Sequence, residues 1–152
     1  MNSLLDRLSE RVRPYVLPAV RVVLGWHLAY LGVWALTSEW TFSWYGRLHG
    51  AHWILGGFFR ALADSPLLPV VDAVFAWGLL LAGLLLMVGR LVAPAAFFGI
   101  FYLAFMYVVN PPHFGHTGES HYLYVDRNVI EVLMLSVVVF ARRKGEVSEW
   151  GA

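Results

Sequence analysis

The sequence predicts an all-α, polytopic membrane protein: a four-helix bundle with an additional short interfacial helix in its first outer loop. Three observations carry that prediction. Hydrophobic residues make up 59% of the 152 and charged residues 14%, where soluble domains carry about 25% charged. Four long apolar runs follow one another, Tyr15 to Thr37, Leu67 to Gly89, Leu91 to Asn110 and Leu123 to Ala141, each close to the roughly 20 residues that cross a hydrocarbon core of about 30 Å. Apart from Arg21 and Arg127, positive charge falls in the stretches between and around these runs. One domain, residues 1–152, accounts for the whole chain.

The segment Met1 to Pro14 carries Asp6, Arg7, Glu10, Arg11 and Arg13 among spaced Leu and Val residues. It reads as a short amphipathic helix on the membrane surface, and the first run is too long for a cleavable signal peptide. Basic residues gather on the cytoplasmic side of membrane proteins. Arg7, Arg11 and Arg13 precede the first run, Arg90 separates the second and third, and Arg142, Arg143 and Lys144 follow the fourth. Both termini are therefore placed in the cytoplasm. Residues Ser38 to Pro66 and Pro111 to Tyr122 become the outer loops, holding five of the six histidines.

In the first run, Arg21, Gly25, Leu28 and Gly32 share one helical stripe and His27, Leu31 and Trp34 another. Small residues at such spacing let membrane helices approach closely. Arg21 is near enough to the inner end to carry its charge to the interface, or to act directly on a ligand. His27 is near mid-membrane, as a hydrogen-bonded neutral imidazole or as a ligand contact and proton relay. The loop segment Trp40 to Phe59 is aromatic and broken by glycine; its rings read as an interfacial belt, and Ala51 to Leu62 as a helix lying flat on the outer surface. Asp72 opens the second run, shallow yet deep enough to need a partner. The third run offers Phe97, Phe98, Phe101, Tyr102, Phe105 and Tyr107, as lipid and packing contacts or as a flat pocket for a quinone ring.

The fourth run begins in polar sequence, VDRNVIE from Val125 to Glu131. Each ionisable group entering an apolar run must be desolvated or paired, so this junction is the first candidate site. Arg127 and Glu131 are one turn apart and can pair along the helix; Asn128 shares a side with Glu131; Asp126 or Asn128 can cap the helix. Because the helices alternate in direction, Asp72, the Arg127 to Glu131 group and His27 are expected at comparable or adjoining depths, in a pocket opening outward beneath the histidine-bearing loops.

Several functions are excluded or weakened. With no cysteine, the chain has no disulfide, thiolate nucleophile, persulfide carrier or iron-sulfur ligation; redox chemistry would need a bound cofactor, a quinone or a partner chain. A net charge of +1 without a basic aromatic patch does not suggest nucleic acid. His113, His116 and His121 with Glu119 match no common zinc spacing, so no metal site is assigned. A bis-histidine haem within the chain is disfavoured, since only His27 is deep in a run.

Four stretches together resemble the DoxX family, small four-helix membrane proteins named for the membrane subunit of a thiosulfate:quinone oxidoreductase. They are RVVLGWHLAYLGVWAL from Arg21, VVDAVFAWGLLLAGLLLMVGRLVAPAAFFGI from Val70, YVVNPP from Tyr107 and YLYVDRNVIEVLML from Tyr122. The resemblance implies a bacterial inner-membrane protein with a polar site at the start of span four and a link to quinone-coupled electron transfer. It carries over Arg21, Gly25, His27, Asp72, Arg127, Asn128 and Glu131 as pocket residues. On this reading the chain is a membrane subunit of a quinone-linked oxidoreductase: Glu131 or His27 handles the proton, Arg127 and Asn128 hold a quinone carbonyl, and Asp72 and Arg21 complete the binding set. The electron donor would then lie in another, periplasmic or membrane, subunit. The alternative is a non-catalytic anchor or assembly subunit of a larger membrane complex; a small transporter comes third, lacking an internal inverted repeat.

Overall fold

A computed structural model describes residues 2–48, 55–110 and 125–140. Among the described residues six helices follow in order: α1 (Asn2–Thr37), α2 (Phe42–Leu48), α3 (Gly56–Ala63), α4 (Leu68–Val88), α5 (Val92–Val109) and α6 (Arg127–Phe140). No strand occurs among the described residues. Among the described residues three stretches, Pro14–Thr37 of α1, α4 and α5, are long and apolar enough to cross a membrane, and they make the chain a multi-pass membrane protein. The described part of α6 has 14 residues, about 21 Å of helix.

The expected separate surface helix at the N-terminus is instead the first part of α1, which passes through Pro14 and Pro18 without a break. Each proline removes one backbone donor, and no turn-forming residue stands between the prolines and the apolar run. The α1 helix ends where the Thr37 hydroxyl donates back to the Val33 carbonyl at 2.9 Å. Gly89 stops α4: at φ +83° it takes the left-handed cap conformation that glycine adopts without steric cost, and its N–H donates to the Leu85 carbonyl. Pro69 sits in the first turn of α4, where its missing N–H has no helical partner to lose.

The helices α1, α4, α5 and α6 share one core, containing Leu28, Leu79, Leu86, Leu103 and Leu135, all nearly inaccessible. Where α1 meets α4, glycine sets the distance. A Cβ added at Gly32 would lie 2.4 Å from the Leu80 nitrogen, and one at Gly83 would lie 2.3 Å from the Ala29 nitrogen. The contacts pair Gly25 and Ala29 with Gly83, Gly32 with Leu80, and Arg21 with Gly89, so the two helices run antiparallel. Around this core, Trp26, Tyr30, Trp77, Leu81, Phe97, Phe101 and Leu133 are exposed, a surface suited to lipid contact.

A second, smaller core caps one end. Phe42 of α2 and Phe59 of α3 are buried against Val109, with Trp40, Tyr45, Leu62 and Phe105 around them. Phe105 touches Phe42, Phe59 and Phe75. The aromatic loop is thus turned inward at Phe42 and Phe59, while Phe58 remains exposed. The expected helix over Ala51 to Leu62 is found from Gly56, preceded by α2; residues 49–54, with His49 and His52, lie outside the described residues, as do His113, His116, His121, Glu119 and the basic residues after the fourth run.

Candidate functional site

The polar groups meet where α1 crosses α6. His27 of α1 brings Nε2 to 3.4 Å from Glu131 Oε1, and Arg127, one turn earlier on α6, brings Nε to 3.6 Å from the same oxygen. Glu131 is largely buried, His27 half-buried and Arg127 exposed. The approach of His27 to Glu131 lacks hydrogen-bond geometry: Nε2 of His27 and Oε2 of Glu131 are both buried without a hydrogen-bond partner among the described residues. Buried polar atoms are nearly always paired, and these two, like Nε of Arg21 near Gly89, have no partner among the described residues. They are of the kind that can exchange a proton, an imidazole nitrogen and a carboxylate oxygen.

The start of α6 is built around Asp126. Its Oδ1 accepts from the Val129 N–H at 3.0 Å and its Oδ2 from the Asn128 amide at 2.8 Å. Asp126 is therefore the helix cap, and Asn128 braces the cap. This fixes the register that puts Arg127 and Glu131 on one stripe.

Asp72 does not join the pair. Its Oδ1 accepts from the Phe42 N–H at 2.9 Å and its Oδ2 from the Thr41 hydroxyl at 2.7 Å, while Thr41 Oγ1 also accepts from the Ser43 N–H. A carboxylate on α4 thus caps α2 from 30 residues away. Its depth follows from the antiparallel α1–α4 contact. His27 lies between Gly25 and Ala29, which both meet Gly83; Asp72 is eleven residues from Gly83, about 16 Å along the axis. The expected common depth of Asp72 and His27 is corrected accordingly. Antiparallel helices share depth only where their residue numbers sum to a constant.

Arg21 lies toward the other end. Its guanidinium packs on Gly89, where an added Cβ would meet Nη1 and Nη2 at 3.0 Å. It sits at the C-terminus of α4, the negative end of that helix, six residues below His27, about 9 Å. Of the six predicted site residues, His27, Arg127 and Glu131 are brought together; Asn128 is adjacent and bound to the cap; Asp72 and Arg21 are elsewhere.

Two tyrosines were not singled out by sequence reasoning as site residues. Tyr45 of α2 shares a side-chain hydrogen bond with Asn110, and burial pushes its phenol above the usual tyrosine range against the effect of that bond. Tyr45 and Tyr102 both feel the Arg127 charge, so both lie near the start of α6. Asn110 was visible as a polar end to its apolar run; nothing distinguishes Tyr102 from its aromatic neighbours in sequence. Among the described residues no group of three histidine or carboxylate side chains gathers as metal ligands would. No protein-family model, curated protein or solved structure matches this chain.

Proposed function

We propose that this chain is a DoxX-like subunit of a quinone-linked oxidoreductase system in the bacterial inner membrane. In this reading α6 and its flanking residues form a fourth crossing, α3 lies at the outer surface, and the His27, Glu131 and Arg127 cluster holds a quinone head. The observation that supports it is that His27 Nε2 and Glu131 Oε2, on neighbouring helices, are buried with no partner among the described residues. A bound quinone supplies the redox couple. The imidazole N–H donates to a carbonyl, the Glu131 carboxyl gives or takes the proton, and the Arg127 cation holds the carboxylate form within reach. With no cysteine, the electron donor belongs to a partner subunit.

The membrane-anchor reading has its own support, since Asp72, Asp126 and Asn128 are satisfied inside the fold. Purification from native membranes in mild detergent separates the two, with mass spectrometry of the lipid extract and of co-purifying proteins. A stoichiometric quinone that is lost in Glu131→Gln and Arg127→Gln, with both variants still folded, is the expected result. No quinone and a reproducible large complex would make the cluster a structural one.

A further inference from the structure

We infer that the His27–Glu131 pair is reached from within the bilayer, along the line where α1 faces α6, by a lipid-soluble molecule whose head both accepts and donates a hydrogen bond. The inference rests on the proposed quinone reading for the identity of that molecule, and on the fold alone for the route.

The route is drawn by the stripe on which His27 lies. Val16, Val23, Tyr30 and Trp34 stand at helical spacing on the same side of α1, and all four are exposed. They form a lipid-facing strip on a helix of membrane-spanning length. His27 interrupts this strip with an imidazole, and it is only 27% exposed because α6 comes beside it with Glu131. Ten residues separate His27 from the end of α1 at Thr37, about 15 Å, so the histidine is deep in the apolar span. The opposite flank of α1 offers no passage: Gly25, Gly32 and Gly83 bring its backbone against α4 with no room for a methyl group. The seam with α6 is closed by side chains instead, and one of them is an imidazole at a lipid-facing position.

The chemistry of the occupant follows from the two free atoms. An imidazole nitrogen and a carboxyl oxygen that share a proton present one donor and one acceptor whichever holds it. A ring hydroxyl both donates and accepts, so a hydroquinone head carried by an apolar tail satisfies both atoms and enters from lipid. A polar solute from the outer aqueous side would instead have to pass Arg127 and the Asp126 cap.

Carbodiimides of opposite solubility test the route on the wild-type chain in lipid vesicles. A protonated carboxyl adds across a C=N bond of the reagent, its proton going to nitrogen, and the adduct rearranges to a stable acylurea that peptide mass spectrometry locates. Dicyclohexylcarbodiimide dissolved in the bilayer is expected to modify Glu131. The water-soluble, cationic ethyl(dimethylaminopropyl) reagent is expected to modify Asp64, exposed beside α3, and to leave Glu131 unlabelled. Labelling of Glu131 by the water-soluble reagent at the rate of Asp64, or by neither reagent, overturns the bilayer route. A long-chain ubiquinol, the reduced form whose ring hydroxyls donate and accept, is expected to protect Glu131 when added to the vesicles. Lipid-phase labelling without that protection upholds the route and overturns the quinone reading, so the two failures are told apart.

Discussion

The two flanks of α1 are built on opposite rules. Toward α4 the contact is backbone on backbone, made by Gly25, Gly32 and Gly83, with leucines filling the space around it. Toward α6 the contact includes a histidine and a glutamate whose buried atoms have no partner among the described residues. In lipid, helices gain little from burying apolar surface against one another, so close packing through small residues supplies the association. The first flank is thus the one that holds the helices together. The second flank carries polar groups that cost free energy unless a partner or ligand satisfies them. Stability and candidate chemistry sit on different sides of one helix, and substitutions can address them separately.

The largest effect belongs to the glycine flank. A methyl at Gly83 meets the Gly25 carbonyl at 2.4 Å as well as the Ala29 nitrogen, and backbone cannot rotate away as a side chain can. Gly83→Ala is expected to cost about 3 kcal/mol, read as a lowered unfolding midpoint in detergent. Gly57→Ala is the internal control, because nothing lies within 4 Å of its added Cβ, and alanine in that helix is expected to gain up to about 1 kcal/mol. Equal losses at the two positions would show that the glycine contact is not what joins α1 to α4.

Next comes Asp72, whose two oxygens tie the start of α2 to α4. Asp72→Ala leaves the Phe42 N–H and the Thr41 hydroxyl without their acceptor, and about 2 kcal/mol is expected from the lost cap and charged hydrogen bonds. Asp72→Asn keeps one acceptor and should fall between. Quinone content should not change per folded molecule in either variant, since the carboxylate is about 16 Å from the level of His27. Selective loss of quinone in Asp72→Asn would return this residue to the site. Glu131→Gln should behave in the converse way, with an unfolding midpoint close to wild type and quinone lost.

How much of this was legible in the sequence depends on the range of the interaction. The α1, α4 and α5 spans follow from local hydropathy, and Gly25 and Gly32 could be read as packing residues from their spacing alone. The Arg127–Glu131 stripe and the Asp126 cap are also local, set by positions three and four residues apart. The meeting of His27 with Glu131 was within reach because alternating helix directions restrict which ends can be level. The level of Asp72 does not follow in the same way, because position within an apolar run does not give the register between α1 and α4. Capping by a residue 30 positions away leaves no local signature, and neither does the inward turn of Phe42 and Phe59. Arg21 illustrates the ambiguity of a long cationic side chain, which sequence places by its Cα and structure places by its guanidinium at Gly89.

The smallest expected effect tests whether the outer cap and the polar flank are one unit. Tyr45 lies in α2, outside the spans, yet it shares a hydrogen bond with Asn110 at the end of α5 and is close enough to Asp126 and Arg127 for their charges to act on it. Burial is the leading cause that pushes its phenol up, and the fold therefore favours the neutral form over the phenolate. The sign follows: the folded chain holds this proton more tightly than the unfolded chain. The stabilisation is complete below the unfolded tyrosine value of about 10 and is lost as pH rises through the higher folded value. Tyr45→Phe is expected to lower stability by about 1 kcal/mol at neutral pH, from the lost hydrogen bond, and to flatten the fall in stability above about pH 10. Unfolding midpoints of wild type and variant, taken in detergent across that range, should converge as the pH rises. Parallel curves would mean that Tyr45 is solvated in the folded protein, and would detach the aromatic cap from the polar cluster on α6.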